Sequence, residues 1–337
     1  MSPEAGFIGV PSKRQQPSLC GACHSDIDFM RDYLPRIATD QATQYATSQH
    51  GKLLAEGDDN VASCADCHTA HAVLPASDSR SSVHAFNVPN TCKRCHSDPD
   101  YMKQYGIPTD QFAKFSTSVH GVALLEDQDP GAPACNDCHG NHGAVPPDVT
   151  SIRQVCGHCH VNNMQYFAAS KMAVAFEENG YHGCEECHGN HGVQKTFDDM
   201  VGTGEQSVCI ACHDGDAGYE AAKQIREDLR QLVSVYEEAE ARKAEVHRKG
   251  MDDVEIGFML QESHQSLVKA RTLVHTFDPA KVGEMTGGGV AKAQSAIELA
   301  KEQVKEYYFR RRGFGLATIF ITILIVALFL KLRHMES

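Results

Sequence analysis

The sequence predicts a mostly α-helical chain in three parts, and three observations predict it. A Cys-x-x-Cys-His motif recurs seven times between residues 20 and 213. Beyond the last motif, apolar residues step by three and four through three successive stretches, the period of packed helices. An uncharged apolar run then occupies Phe314 to Leu330. The expected organisation is a domain of irregular, motif-bearing loops and short helices over 1–216, a helical bundle or stalk over 217–312, a transmembrane helix over 313–331 and a cytoplasmic tail over 332–337.

All 14 cysteines of the 337-residue chain fall in the motifs. They are Cys20 and Cys23, Cys64 and Cys67, Cys92 and Cys95, Cys135 and Cys138, Cys156 and Cys159, Cys184 and Cys187, and Cys209 and Cys212. Zinc sites and disulfide frameworks also use paired cysteines, but neither requires a histidine directly after every pair. Covalent haem c does. Two thiols bond one porphyrin edge, and the adjacent histidine reaches the iron beneath it. The expected cofactor is therefore seven haem c, with proximal ligands His24, His68, His96, His139, His160, His188 and His213. The region is poor in apolar runs, rich in Gly, Pro and Asp, and has no Trp. It could hardly build a large side-chain core, so the haem faces would supply the apolar area.

The motifs belong to repeated units. In the first, Cys20–His24 is followed by Ser25-Asp-Ile-Asp-Phe-Met30, then Ser48-Gln-His50-Gly51, then Cys64–His68 with His71 three residues on. The second runs Cys92–His96, Ser97-Asp-Pro-Asp-Tyr-Met102, Ser118-Val-His120-Gly121, and Cys135–His139 with His142. The third is shorter, with Cys156–His160, Tyr181-His182-Gly183, and Cys184–His188 with His191. Cys209–His213 reads as a fourth unit cut after its first half. Seven haems need seven sixth ligands, and the repeat region offers His50, His71, His84, His120, His142, His182 and His191. His84 has no counterpart in the other units. His158, inside its own motif, reads as structural. Met30 and Met102 rank behind histidine as ligands.

Pro11 and Pro17 predict an extended lead over residues 1–19. Haem c is attached outside the cytoplasm, and these residues carry no apolar signal stretch, so an export signal is expected to be cleaved or to lie upstream. Past Asp216 the first helical seam is Ile225, Leu229, Leu232, Tyr236 and Ala239, ended at Lys249-Gly250. The second is Ile256, Leu260, Ser263, Leu267, Ala270, Val274 and Phe277. Asp278-Pro279 reads as a helix start, and Gly287 to Gly289 as a break. A third seam follows at Val290, Ala293, Ile297, Ala300, Val304 and Tyr307. His264 and His275 lie beside the second seam as weaker alternative ligands, about 16 Å apart along the helix. His247 reads as a solvated face.

The apolar run is about 26 Å of helix, enough to cross a bilayer if flanking basic residues snorkel. Arg310 to Arg312 precede it, where the positive-inside rule would place the cytoplasm. Haem attachment requires the opposite orientation, which leaves the arginines to lipid phosphates or an acidic partner. The formal net charge of -13 argues against a nucleic-acid partner.

These motifs, the Ser-x-His-Gly stretches, the Cys-x-x-Cys-His-x-x-His pattern and the Arg-Arg-Gly-Phe314 tail resemble the membrane-anchored multihaem cytochromes c that serve as redox subunits of quinone-linked respiratory complexes. The resemblance implies electron transport in anaerobic respiration. It implies an integral-membrane, quinone-reactive partner of the cytochrome b type and periplasmic cytochromes or iron–sulfur proteins as carriers. It places the haem domain on the periplasmic face of the cell membrane. It makes the chain an electron-transfer subunit rather than a catalyst by itself. The alternative is a multihaem reductase of nitrite, hydroxylamine or a sulfur oxyanion. Such an enzyme needs a haem with an open axial site, often with Lys as proximal ligand, and no motif here carries that Lys.

Overall fold

The computed structural model describes residues 9–146 and 152–336. It is mostly helical, 68%, with no strand among the described residues. Contacts divide it into two units. One holds the residues up to Met164 together with Val174–Lys195; the other holds Gln165–Ala173 and everything from Thr196 onward.

The repeats share one plan. The first is α1 (Gln16–His24), α2 (Ile27–Tyr33), α3 (Gln41–Thr47), α4 (Gln49–Glu56) and α5 (Cys64–His68). The second is α6 (Val88–His96), α7 (Pro99–Met102), α8 (Gln111–Ser116), α9 (Val119–Leu125) and α10 (Cys135–His139). The third is α11 (Ile152–Gly157), α12 (Val161–Ala168), α13 (Lys171–Glu178) and α14 (Cys184–His188), without the helix that follows the first motif in the other two. Short polar contacts set these elements. Asp26 and Asp98 each accept two backbone N–H groups to start α2 and α7. Asp66 and Asp137 reach back to the N–H of Ser63 and Ala134, at 2.8 and 2.7 Å, to close the one-turn motif helices.

The sequence reading needs one amendment at the start. Pro17 does not break a helix; it occupies the first turn of α1, where no N–H is needed. Residues 1–8 of the expected extended lead lie outside the described residues.

The other unit is built on α15 (Ala217–Arg248), α16 (Val254–Leu273) and α17 (Pro279–Glu336), with every seam position of the first two helices inward or partly so. Leu229, Leu232, Ile256 and Leu260 are buried, facing Val282, Ala293, Ala296 and Ile297 from α17. The expected break at Gly287 to Gly289 is absent: α17 is one helix of 58 residues. Gly289 is there for close approach. A Cβ on it would lie 2.9 Å from Leu232 and Ser266 side-chain atoms, and its carbonyl accepts a 3.0 Å bond from buried Ser263. The far part of α17 is long and apolar enough to cross a membrane, with mean hydropathy 2.6 over its best window and none of that window buried.

Candidate functional site

The motif helices bring cysteines and histidines together in a regular order. Cys20 and Cys64, Cys92 and Cys135, and Cys156 and Cys184 are side-chain neighbours. Each pair joins the two motifs of one repeat. Between repeats, Cys67 feels Cys92 and Cys95, and Cys138 feels Cys156 and Cys159. The first six motifs therefore follow one another in space as they do in sequence. Burial, reinforced by Cys20, pushes the Cys64 thiol up to about 11, and burial does the same for Cys67. No disulfide joins any two of the fourteen cysteines, all of which lie among the described residues.

Four motif histidines face a repeat histidine. The ring centres of His50 and His96 are 6.1 Å apart, those of His68 and His142 6.0 Å, those of His120 and His160 6.2 Å, and those of His139 and His191 5.9 Å. Two imidazole–metal bonds of about 2 Å each, plus the step from each nitrogen to its ring centre, span nearly this distance. Neighbouring aromatic rings also pack at such separations. The register is what distinguishes the pairs. His50 and His120, both two residues beyond a capping serine, each meet the first motif of the next repeat. His142 and His191, both three residues beyond a motif histidine, each meet the second motif of the previous repeat.

A backbone stagger enforces that register. The Gln49 N–H donates to the Ala144 carbonyl at 3.0 Å, and the Val119 N–H donates to the Val193 carbonyl at 2.8 Å. In both cases the loop behind a Cys-x-x-Cys-His-x-x-His stretch clamps the start of the Ser-x-His-Gly helix one repeat earlier. Gly143 consequently lies against Thr47 and Gln44, and Gly192 against Lys114.

The helix starts themselves aim His50 and His120. Ser48 Oγ accepts from Gly51 N–H at 2.9 Å and donates to the Tyr45 carbonyl. Ser118 does the same with Gly121, at 3.0 Å, and Phe115. A Cβ on Gly51 would meet the Tyr45 carbonyl oxygen at 2.0 Å, and one on Gly121 the Phe115 oxygen at 1.8 Å, so the fold-back is this tight only with glycine at these two positions. Burial lowers the affinity of His50, His68, His96, His120, His142 and His191 for a proton, and neighbouring histidines add to it in all but His142. The neutral imidazole is the metal-binding form. Two further rings have Nδ1 engaged, leaving Nε2 to face a metal: His139 on the Val145 carbonyl at 3.3 Å and His213 on Asp216 at 2.8 Å. These donor sets fit haem c with bis-histidine iron at the second to fifth motifs.

Three of the candidates, His71, His84 and His182, stand apart from this pattern. Among the described residues no ring contact joins His71, His84 or His182 to a motif histidine. His71 is exposed. His84 accepts the Phe86 N–H on Nδ1 at 3.4 Å and packs on the Phe86 ring. His182 heads α14 with Nδ1 against Glu185 and its N–H on Glu186 at 3.1 Å. In the bundle unit, His264 packs on Tyr236, and His275 places Nδ1 on the Thr272 carbonyl at 3.0 Å.

Sequence reasoning equated His182-Gly183 with the Ser-x-His-Gly stretches, and the structure offers a better counterpart. Ser170 Oγ donates to the Phe167 carbonyl at 2.6 Å and accepts from Ala173 N–H at 3.2 Å, as Ser48 and Ser118 do in their repeats. The residue two beyond it is Met172. The available signal was a helix-starting serine three residues after an aromatic, at Tyr45, Phe115 and Phe167; the His-Gly letters of His182 drew the match away. No protein-family model, curated protein or solved structure matches this chain.

Proposed function

We propose that the chain is a heptahaem cytochrome c that conducts electrons along a ladder of closely spaced haems and is anchored to the membrane by α17. Each haem would supply one-electron exchange between ferric and ferrous iron. The protein's part is to fix spacing, supply axial nitrogens and hold the imidazoles neutral. The observation that carries the reading is the constant one-repeat register of His50 with His96, His120 with His160, His68 with His142 and His139 with His191. Ring packing alone gives no reason for every pair to contain one motif histidine.

The anchoring helix has no histidine and no ionisable residue between Phe314 and Leu330. It can therefore neither ligate a haem inside the bilayer nor move protons for a quinol. An integral-membrane partner of the cytochrome b type would exchange electrons with quinone. Soluble cytochromes or iron–sulfur proteins would meet the ladder on the periplasmic side.

The test is the intact mass and redox behaviour of the purified full-length protein. Seven covalent haems are expected, together with reduction by quinol in native membranes that is lost when residues 314–337 are deleted. Absence of covalent haem would overturn the cofactor. Quinol reduction of the deleted protein as fast as in membranes would overturn the partner. A stoichiometric high-spin haem responding to nitrite or hydroxylamine would turn the reading to a reductase.

A further inference from the structure

We infer that Met172 supplies the sixth ligand of the haem held by Cys209, Cys212 and His213, which makes it a histidine–methionine site. The inference rests on the heptahaem reading and assigns to the seventh motif a ligand that is not a histidine. It follows from continuing the register by one repeat. The residue two beyond Ser48 is His50, and it meets the first motif of the second repeat at His96. The residue two beyond Ser118 is His120, and it meets the first motif of the third repeat at His160. The residue two beyond Ser170 is Met172, and the next first motif in the chain is Cys209–His213.

Three further observations agree. The short segment Gln165–Ala173 carries Met172. It belongs to the same compact unit as the chain from Thr196 onward, which carries His213. Within that unit Phe167, the partner of Ser170 at the helix start, lies edge-on to Phe277 with ring centres 6.2 Å apart. His213 has Nδ1 fixed on Asp216 at 2.8 Å, which presents Nε2 for coordination.

The local structure tolerates the exchange of ligand. Ala173 stands where Gly51 and Gly121 stand, and its N–H reaches Ser170 Oγ at 3.2 Å against 2.9 and 3.0 Å in the other repeats. The helix start is slightly opened, as a Cβ at this position requires. A half-buried thioether on a flexible side chain can then reach where a rigid imidazole pointed before. His182 stays with Glu185 and Glu186 at the head of α14. Thioether in place of imidazole raises the potential of the haem it ligates. The seventh haem would therefore have a higher potential than the bis-histidine haems of the second to fifth motifs.

The test uses the purified full-length protein and its Met172→Ala, Met172→His and His182→Ala variants. The oxidised wild type should show one sulfur-to-iron charge-transfer band in the far red per seven haems. That band should be lost in Met172→Ala and in Met172→His. Met172→His should keep every haem low-spin and shift only one midpoint potential, downward. His182→Ala should retain the band. Wild type without the band, with all midpoints unmoved in Met172→His, would overturn the assignment. A new high-spin signal from His182→Ala with Met172→Ala silent would transfer the ligand to His182. Fewer than seven haems by mass would instead count against the heptahaem reading itself, a separate result.

Discussion

In the bundle, Leu229, Leu232, Ile256 and Leu260 are each at most 2% exposed and pack in two clusters built from α15, α16 and α17. In the repeats the one apolar cluster among the described residues is Val88, Leu124 and Ala134 with a rim that includes Phe86, Phe115, Cys92 and Cys135. Burying a leucine side chain contributes about 1.5–3 kcal/mol, so the bundle accumulates its stability from its own side chains. The repeats are arranged by serine and aspartate caps, by clamping bonds such as Gln49 to Ala144, and by paired imidazoles. Those contacts define direction more than they stabilise, since a typical hydrogen bond nets only about 0.5–1.5 kcal/mol. The comparison teaches that the bundle carries its fold in its apolar periodicity, whereas the repeats carry a template whose apolar filling, in our reading, is the cofactor.

The largest expected effect separates the two regions outright. Full-length protein produced without haem attachment should lose protease resistance across residues 20–195 while a fragment containing α15 and α16 survives. Limited proteolysis with mass mapping reads this directly, and a resistant haem-free repeat fragment would erase the contrast. Next, Leu232→Ala should destabilise the bundle by about 2–5 kcal/mol, because the side chain is fully enclosed and Gly289 backs onto it. Its thermal midpoint should drop while the haem spectrum stays as in the wild type. A spectral change in step with the melt would mean that the two regions are coupled.

A smaller effect concerns one rung of the ladder. His142→Ala should convert one haem of the seven to high-spin, and that haem should be the one at Cys64–His68 rather than the one at Cys135–His139 that lies next to His142 in sequence. Electron spin resonance of the double variant His142→Ala with His68→Ala decides between them: the defects should fall on one haem, and defects on two would break the register. The smallest effect is a matter of pH. The Tyr105 hydroxyl, donating at 2.7 Å, and the Asn60 N–H hold the Asp58 carboxyl below its usual range. The contribution of this link between the first two repeats is complete above about pH 4, the ordinary carboxylate value, and is lost as pH falls through the lowered one. Asp58→Asn should lower the neutral end of the stability profile of the loaded protein slightly and leave its acid end nearly unchanged, so that the acid limb flattens. An unaltered acid limb would remove Asp58 from the inter-repeat contacts.

Much of this molecule was legible in the sequence because the relevant patterns are local. A Cys-x-x-Cys-His motif is five adjacent residues, a seam has a period of three and four, and a span is one continuous run. Hence the seven motifs, the buried faces of α15 and α16, and the apolar stretch of α17 were all readable. The reading failed where a local signal competes with packing. Three consecutive glycines lower helix propensity, yet α17 passes through them, because Gly289 lets the helix approach Leu232 and Ser266 more closely than any larger residue could.

By itself, then, the sequence determined where the Cys-x-x-Cys-His motifs lie and how many times the unit recurs. Only the tertiary structure decided who meets whom. Nothing within the Ser48 to Gly51 stretch says that His50 faces His96 rather than His24 or His68. That choice comes from the one-repeat stagger, set by the loop at Ala144 docking on the N–H of Gln49, a contact between residues distant in the chain. The place of Met172 is hidden for the same reason. Its equivalence to His50 and His120 lies in the shape of a serine-capped helix start, and shape is shared by sequences that do not share letters.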